Sequence, residues 1–540
     1  MRRCLCVWAA LLLAGLGAAA QDGDVLRAAL YLSGAGDVEQ VDPGLVASLE
    51  ACQGWRIRIN GDGLRPGLLL SAYQVAAIRD YRGRSGDILS WEELALVDGF
   101  SQEAVAALRP FLSLASDRLP GAADTVGLRA SALLRTTLKQ VGIKAKLSGE
   151  HVRAGGAWRG KDGTFYGEYQ WRGFRVLAGD YQLRTGQGLA FWSGFSMESL
   201  TTADAFLKRG QGISPVWSFT SGNVCRGAAV EYGSRHVQLG AFVTTQAKAG
   251  LHAAWLGRST QLGLTAACPL VRGRAEEAAL SLDGRGNLWG ADWAFEAAWH
   301  PGAWAGQAAF RAPAGDRWKL VGQARVLPSR FRGKKNGEYA LAAGAAFRSD
   351  RRVEGTPAHT VSLTLDNALL PVPGGAWNRF QLRACALWEG LWSPAWGFSL
   401  RLQERYRNYE RPRTDLRADV RFRRGPWLGT WRGELVRCEQ TGLLTYLEGG
   451  YKAEAYFGYL RLTAFRADQW NDRIYCYERD APGNFSVPAY AGRGVALSAL
   501  TGGKVRWGRF RLKAYMRAGC QLRVGREPAY TLNLQLQADV

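Results

Sequence analysis

The chain is poor in the residues that soluble enzymes concentrate. Its five histidines, His151, His236, His252, His300 and His359, are scattered, with no HExxH and no two within one helical turn. That excludes the helical zinc-protease arrangement. Cysteine is sparse and badly spaced for metal binding. Cys4 and Cys6 lie in the N-terminal apolar stretch, and Cys52, Cys225, Cys268, Cys385, Cys438, Cys476 and Cys520 follow with no CxxC. An odd number at wide spacings argues against both a disulfide scaffold and a zinc site. Gly173, Gly179 and Gly186 do not join a strand to a helix, so no phosphate-cradling loop is expected. Ser193, in Trp192-Ser193-Gly194, lacks the strand–turn–helix context of a nucleophile elbow. These absences predict a non-enzymatic protein with no catalytic residue, no metal and no cofactor.

Long apolar runs are missing too, except at the start. Arg2 and Arg3 precede the apolar stretch Val7 to Gly17, and Ala18-Ala19-Ala20 then offers small side chains ahead of Gln21. This is the secretory pattern, and the stretch is short for the roughly 20 residues a membrane-spanning helix needs. The expected organisation is a signal peptide over 1–20, a helical module over 21–115, a linker over 116–124 and a β region over 125–540. Gln21, not Cys, stands directly after the cleavage site, which argues against a lipoprotein.

Charge divides along the same boundary. The formal net charge is +22, yet residues 21–115 hold 8 Arg and no Lys against 13 Asp and Glu, a net of −5. Everything from Ser116 onward carries 59 basic and 34 acidic residues, a net of +25.

The module repeats itself with an offset of 30 positions: Leu70 to Tyr81 lies over Phe100 to Phe111. Ser71 and Ser101 are placed to cap the second helix of each copy, with Val75, Ile78, Val105 and Leu108 at helical spacing behind them. Asn60 and Ser90 are placed to cap the first, and Ser90 with Glu93 has the capping-box spacing. Each copy is predicted to be helix, tight turn, helix. The stretch from Trp55 to Leu114 resembles the paired helix-hairpin-helix domain of competence-type DNA receptors, most closely at Leu96-Val97-Asp98-Gly99-Phe100-Ser101. The resemblance implies a hairpin that binds a DNA phosphate through backbone amides and the following helix N-terminus. The residues it would assign are Gly99, Phe100, Ser101 and Ser71, with Arg79 and Arg109 nearby. This sequence has Ser101 at the last hairpin glycine of the second copy, and Leu69 and Ser71 at the two glycine positions of the first. Side chains there keep a phosphate from the backbone, and the acidic balance opposes nonspecific DNA affinity. A docking module is therefore favoured over a DNA grip.

From about Asp124 the pattern switches to period two. Leu416, Ala418, Val420 and Phe422 alternate with Arg417, Asp419, Arg421 and Arg423; Phe510, Leu512, Ala514 and Met516 alternate with Arg511, Lys513 and Arg517. A soluble sandwich or propeller would alternate as well. The dense arginine on the polar face suits a wet lumen. Trp377, Trp388, Trp396, Trp427 and Tyr456, near strand ends, suit interfacial girdles. The prediction is a mostly β protein with a large antiparallel transmembrane β-barrel of roughly 20–24 strands. A longer interruption, Gly186 to Asn223, holds one helix-like piece, Thr202 to Lys208, and reads as a surface loop or an inward constriction. Gly179 to Arg184, Trp192 to Phe195 and Arg473 to Glu478, with Phe485 to Pro488 and Gly492 to Gly494, resemble large helix-hairpin-helix outer-membrane proteins of Gram-negative bacteria. That resemblance implies an outer-membrane barrel with the module on its periplasmic side. The chain departs from it at Val540, where such barrels usually carry an aromatic residue.

The expected partners are outer-membrane lipid and a periplasmic or outer-membrane protein, with DNA disfavoured. The expected function is a channel or an assembly component, the alternative being DNA binding or uptake. Arg417, Arg421, Arg509, Arg511 and Lys513 form the predicted basic lumen wall. They are read either as an attractor of anionic solutes or as a solvated surface paired with acids such as Asp419.

Overall fold

The computed structural model describes every residue except 1–21, 53–55, 62, 117–127, 150, 194–199, 220–221, 223, 272–276, 334, 350–351, 354–355 and 372–378. The expected signal peptide, its cleavage site, most of the linker, Trp55 and Trp377 lie outside the described residues.

The chain begins with a helical pair, α1 (Asp22–Ser33) and α2 (Pro43–Cys52), joined through a single 3-10 turn at Val38–Gln40. Strand β1 (Ile57–Asn60) follows, then α3 (Ala72–Ser85), the one-turn α4 (Trp91–Leu94), α5 (Gln102–Leu108) and strand β2 (Leu112–Ser116). β1 and β2 pair in parallel, Ile57 opposite Leu112. Val25, Ala28, Leu45, Leu49, Ile59, Ile78, Leu94, Leu108 and Phe111 share one buried apolar cluster, so the helical pair and the repeat are a single body.

Three of the four expected caps form. The Ser71 hydroxyl accepts from Gln74 N while Gln74 Oε1 accepts from Ser71 N, a complete capping box. Ser101 accepts from Ala104 N, and Ser90 from Glu93 N. The Glu93 carboxylate reaches back one residue further than expected, to Leu89 N. Asn60 is the exception. It stays in β1, and the described residues from Gly61 to Leu70 form turns, so the first copy has no leading helix. The cause is tertiary: its buried amide donates to Ile88 O and Leu114 O and accepts from Ile88 N, tying the two copies together instead of starting a helix.

Beyond Leu128 the chain is a closed antiparallel barrel of 24 strands. Strands neighbouring in sequence pair in space, and the first, Arg129–Thr137, closes against the last, Ala529–Asp539, with Ser131 opposite Asp539. Closure pairs each wall strand on both sides and leaves the wall without a free edge. Alternation decides which side each residue takes. Along Thr441–Lys452, Leu443, Thr445 and Leu447 are exposed on the outer face, and Leu444, Tyr446 and Glu448 are buried inside. Rings pair across strands at the outer rim nearest the helical module: Phe174 with Tyr232 at 4.9 Å, Trp396 with Phe422 at 4.8 Å and Trp427 with Tyr451 at 4.9 Å. An apolar outer band capped by amphipathic rings is what a bilayer requires of a barrel. No described helix is long and apolar enough to cross a membrane.

Two long connections fold inward. In the first, the expected helix-like piece is a short 3-10 turn, Ala203–Phe206, whose Phe206 is packed against the lumen-facing Ala294, Ala309 and Val321. Small wall residues make room for it. The Glu296 carboxylate anchors its base, accepting from Gln187 N at 2.7 Å, Leu189 N at 3.0 Å and Ala190 N at 3.2 Å. The second connection follows strand Tyr456–Ala467. Glu478 and Asp480 pair with Arg517 on the wall, and Arg135 donates to Pro482 O at 2.7 Å. The resembling motifs noted in the sequence lie at the roots of these connections. Gly179, at φ +107°, sits where a Cβ would come 2.2 Å from Phe165 O, and Asp180 beside it accepts from Phe165 N and Arg226.

Candidate functional site in the barrel lumen

The helical body lies against the basic inner wall, and its two parts meet different levels of the barrel. The repeat sits at one mouth, over the short turns. Arg79 donates to Ser234 O at 3.1 Å, Asp80 faces Arg235 and Arg258 at 3.5 and 3.8 Å, Asp98 accepts from Ser259, and Glu103 pairs with Arg348. The pair α1–α2 extends beyond it into the lumen and reaches the inward connections: Asp42 pairs with Arg184 at 2.9 Å, and Glu39 accepts from Tyr477 N at 3.1 Å.

The 3-10 turn between α1 and α2 carries the most concentrated charge. Asp37 is paired with both Arg401 and Arg417, and Glu39 with Arg432 and, at 3.3 Å, Arg417. Behind them Asp419 binds Arg432 at 2.6 Å, and Glu434 lies 3.5 Å from Arg401. Asp37 is only 6 % exposed. Burial alone would raise its pKa, but Arg417 and Arg401 outweigh burial and hold the carboxyl well below its ordinary value. Glu39 moves the other way: burial, and then the charge of Asp37, raise it. Asp37 is therefore the member that stays ionised, and Glu39 the one that takes up a proton first.

Asp37, Glu39 and Asp42 are site residues that no sequence motif marks. The signal for them was the charge division, −5 in the module against +25 in the barrel region, which predicts that the two parts attract.

The predicted hairpin residues are brought together, but against the protein's own elements. Gly99, at φ +80°, lies where a Cβ would come 2.7 Å from the Tyr73 ring, and its carbonyl accepts from Gln74 Nε2. Phe100 packs on the module core, the Ser71 and Ser101 hydroxyls serve as caps, and Arg109 stacks over Trp91 at 5.4 Å. Of the predicted basic wall, Arg417 is buried in the network above, Arg421 is exposed beside Glu389 at 3.4 Å, and Lys513 pairs with Asp539 at 3.0 Å. Arg511 is exposed near the start of strand Phe510–Arg523. Arg509 departs from the expectation: it lies in the two-residue turn before that strand, because Gly508, at φ +59°, bends the chain one residue earlier. Among the described residues no group of three or more His, Cys, Asp or Glu is arranged to hold a metal ion.

No protein-family model matches the chain. No curated protein matches it. A structure titled copper transporter OprC aligns at 8 % identity over 77 % of this chain and 80 % of its own, with a TM-score of 0.40. The outer membrane protein opdK from Pseudomonas aeruginosa aligns at 11 % over 77 % and 99 %, with a TM-score of 0.31. The P pilus usher PapC translocation pore aligns at 9 % over 76 % and 98 %, with a TM-score of 0.36.

Proposed function

We propose that this chain is a non-enzymatic outer-membrane channel held shut from within, with α1–α2 as the plug and the repeat docked on the periplasmic mouth. The observation that carries this reading is the lock of Asp37 and Glu39 onto Arg401, Arg417 and Arg432. Buried carboxylates among converging guanidiniums are costly to separate, since each partner left behind is an unpaired charge at low dielectric. They are not costly to exchange for another anion, which makes such a lock reversible. The secretory N-terminus and the apolar outer band support the location.

The test is conductance of the full chain in planar bilayers, beside a heat-modifiability gel of the outer-membrane fraction. The expected result is a folded, membrane-held barrel that conducts little, with Asp37→Asn/Glu39→Gln raising the conductance. A chain recovered in the aqueous fraction, or a double variant that conducts like the parent, would overturn the reading.

A further inference from the structure

The mouth that carries the repeat stays basic beyond the arc the repeat occupies. The repeat's contacts run from Arg65 on the Phe174 carbonyl, through Asp80 beside Arg235 and Arg258, to Glu103 on Arg348. Asp80 lies on α3 and Glu103 on α5, so along this arc helical carboxylates meet arginines at the ends of the wall strands. Further round the same mouth are the turns at Gly425–Pro426 and Gly508–Arg509.

On the strands flanking the second of these turns, Lys504 stands opposite Lys513, and Arg506 opposite Arg511. Like charges in register are unfavourable, and here two such pairs follow one another. Arg517, of the same parity as Arg511 and Lys513, is buried in the lumen against Asp480, so all four cations turn inward, away from lipid. At the first turn Arg421 and Arg423 share the face of the buried Arg417, and Arg424 ends the strand.

Local carboxylates answer little of this charge. Arg421 lies 3.4 Å from Glu389 and Lys513 3.0 Å from Asp539, and Glu454 is exposed in the turn between the two groups. Arg506 donates to the Gly508 carbonyl, which carries no net charge. Arg423, Arg424, Arg509 and Arg511 are exposed, and among the described residues no carboxylate lies within ion-pair distance of them. The facing pairs form a grid of about 5 Å across the strands and about 7 Å along them. Side chains one turn apart on a helix are separated by about 5–6 Å, which fits that grid.

We propose that this second arc docks an acidic helix of a periplasmic protein, with a carboxylate repeated at each turn. Two observations choose that occupant: the charge it would neutralise, and continuity with the neighbouring arc, where α3 and α5 already hold carboxylates against the same mouth. The proposal rests on the plugged-channel reading above for the side of the membrane this mouth faces.

The experiment is fluorescence anisotropy of a labelled peptide with the detergent-folded full chain at physiological salt, folding being checked by heat-modifiability. The probe is an Ala-based helical peptide of about 20 residues with Glu at every fourth position. A Gln version and a short DNA duplex serve as comparisons. The Glu peptide is expected to bind, more tightly than the duplex, and the Gln peptide not to bind. Arg506→Gln/Arg511→Gln is expected to weaken binding about tenfold, as two exposed charge pairs lost together. Should that variant fail to insert, Arg509→Gln, in the turn, is expected to weaken it about threefold. Arg407→Gln, at the opposite mouth, leaves it unchanged. The proposal falls if the Glu peptide does not bind, if the duplex binds more tightly, or if Arg407→Gln weakens binding as much as the mouth variants do. None of these outcomes touches the conductance of Asp37→Asn/Glu39→Gln, so the two readings fail separately.

Discussion

Asp37 and Arg417 meet inside the barrel although 380 residues separate them in the chain. Arg417 also reaches Glu39 and Asp419, so it joins the plug to the wall and the wall to itself. Asp37→Asn is expected to loosen the plug by about 3–5 kcal/mol, because Arg401 and Arg417 stay buried with one carboxylate fewer. Limited proteolysis reads this as faster cleavage between α1 and α2, with the barrel band intact on a heat-modifiability gel.

The same pair sets a pH window. Asp37 has a depressed pKa, so its contribution is present above the ordinary carboxylate range and is lost as pH falls through the lowered value. Glu39 has a raised pKa, so docking weakens as pH rises through that raised value, where the folded form must give up its proton. Plug protection should peak in mild acid. Protease resistance measured against pH will show the peak, and Glu39→Gln should remove the decline on its alkaline side while leaving the acid limb.

Gly99→Ala adds a Cβ 2.7 Å from the Tyr73 ring at a φ of +80°. Strain and crowding together predict a loss of about 1–3 kcal/mol from the repeat. Hydrogen exchange should rise in α3 and α5 and not in the barrel strands. Equal exchange in both variants would mean the contact is looser than the geometry indicates.

Glu296→Gln removes the charge from a carboxylate that collects three backbone amides. All three bonds lose an ionised acceptor, and the amide nitrogen presents donors to the donors that its oxygen used to accept from. The connection from Thr185 to Gln211 is expected to exchange faster and the channel to show larger current fluctuations, with membrane insertion unaffected.

Leu447→Arg tests the outer face, since Leu447 is 65 % exposed on the outside of the wall. A charge at mid-depth costs about 2–4 kcal/mol in lipid. The yield of heat-modifiable barrel should fall, whereas in a soluble barrel the substitution would be neutral.

The barrel was legible because alternation is local. Leu416 through Arg423 shows inside and outside within eight residues, and the same pattern recurs strand after strand. The caps at Ser71, Ser90 and Ser101 were legible for the same reason, since a cap involves only the next turn. Asn60 was misread because its partners, Ile88 and Leu114, are 28 and 54 residues away. The acidic residues of the plug carry no local motif at all. Asp37, Glu39 and Asp42 gain meaning only from arginines 142 to 393 residues downstream, and only the overall charge division pointed there. Arg509 was assigned to the wall by parity, which says nothing of where a strand begins.

The closure of the barrel has a consequence for how the molecule is made. The wall is built from neighbours in sequence, so each hairpin can form as soon as its two strands exist. The helical pair precedes the wall in the chain, yet Asp37 and Glu39 find their guanidiniums 364, 380 and 393 residues later. Its acidic face must wait, exposed, through the assembly of nearly the whole sheet. The helical segment therefore reaches these contacts only after most of the wall exists, and a sheet built after it holds it in place.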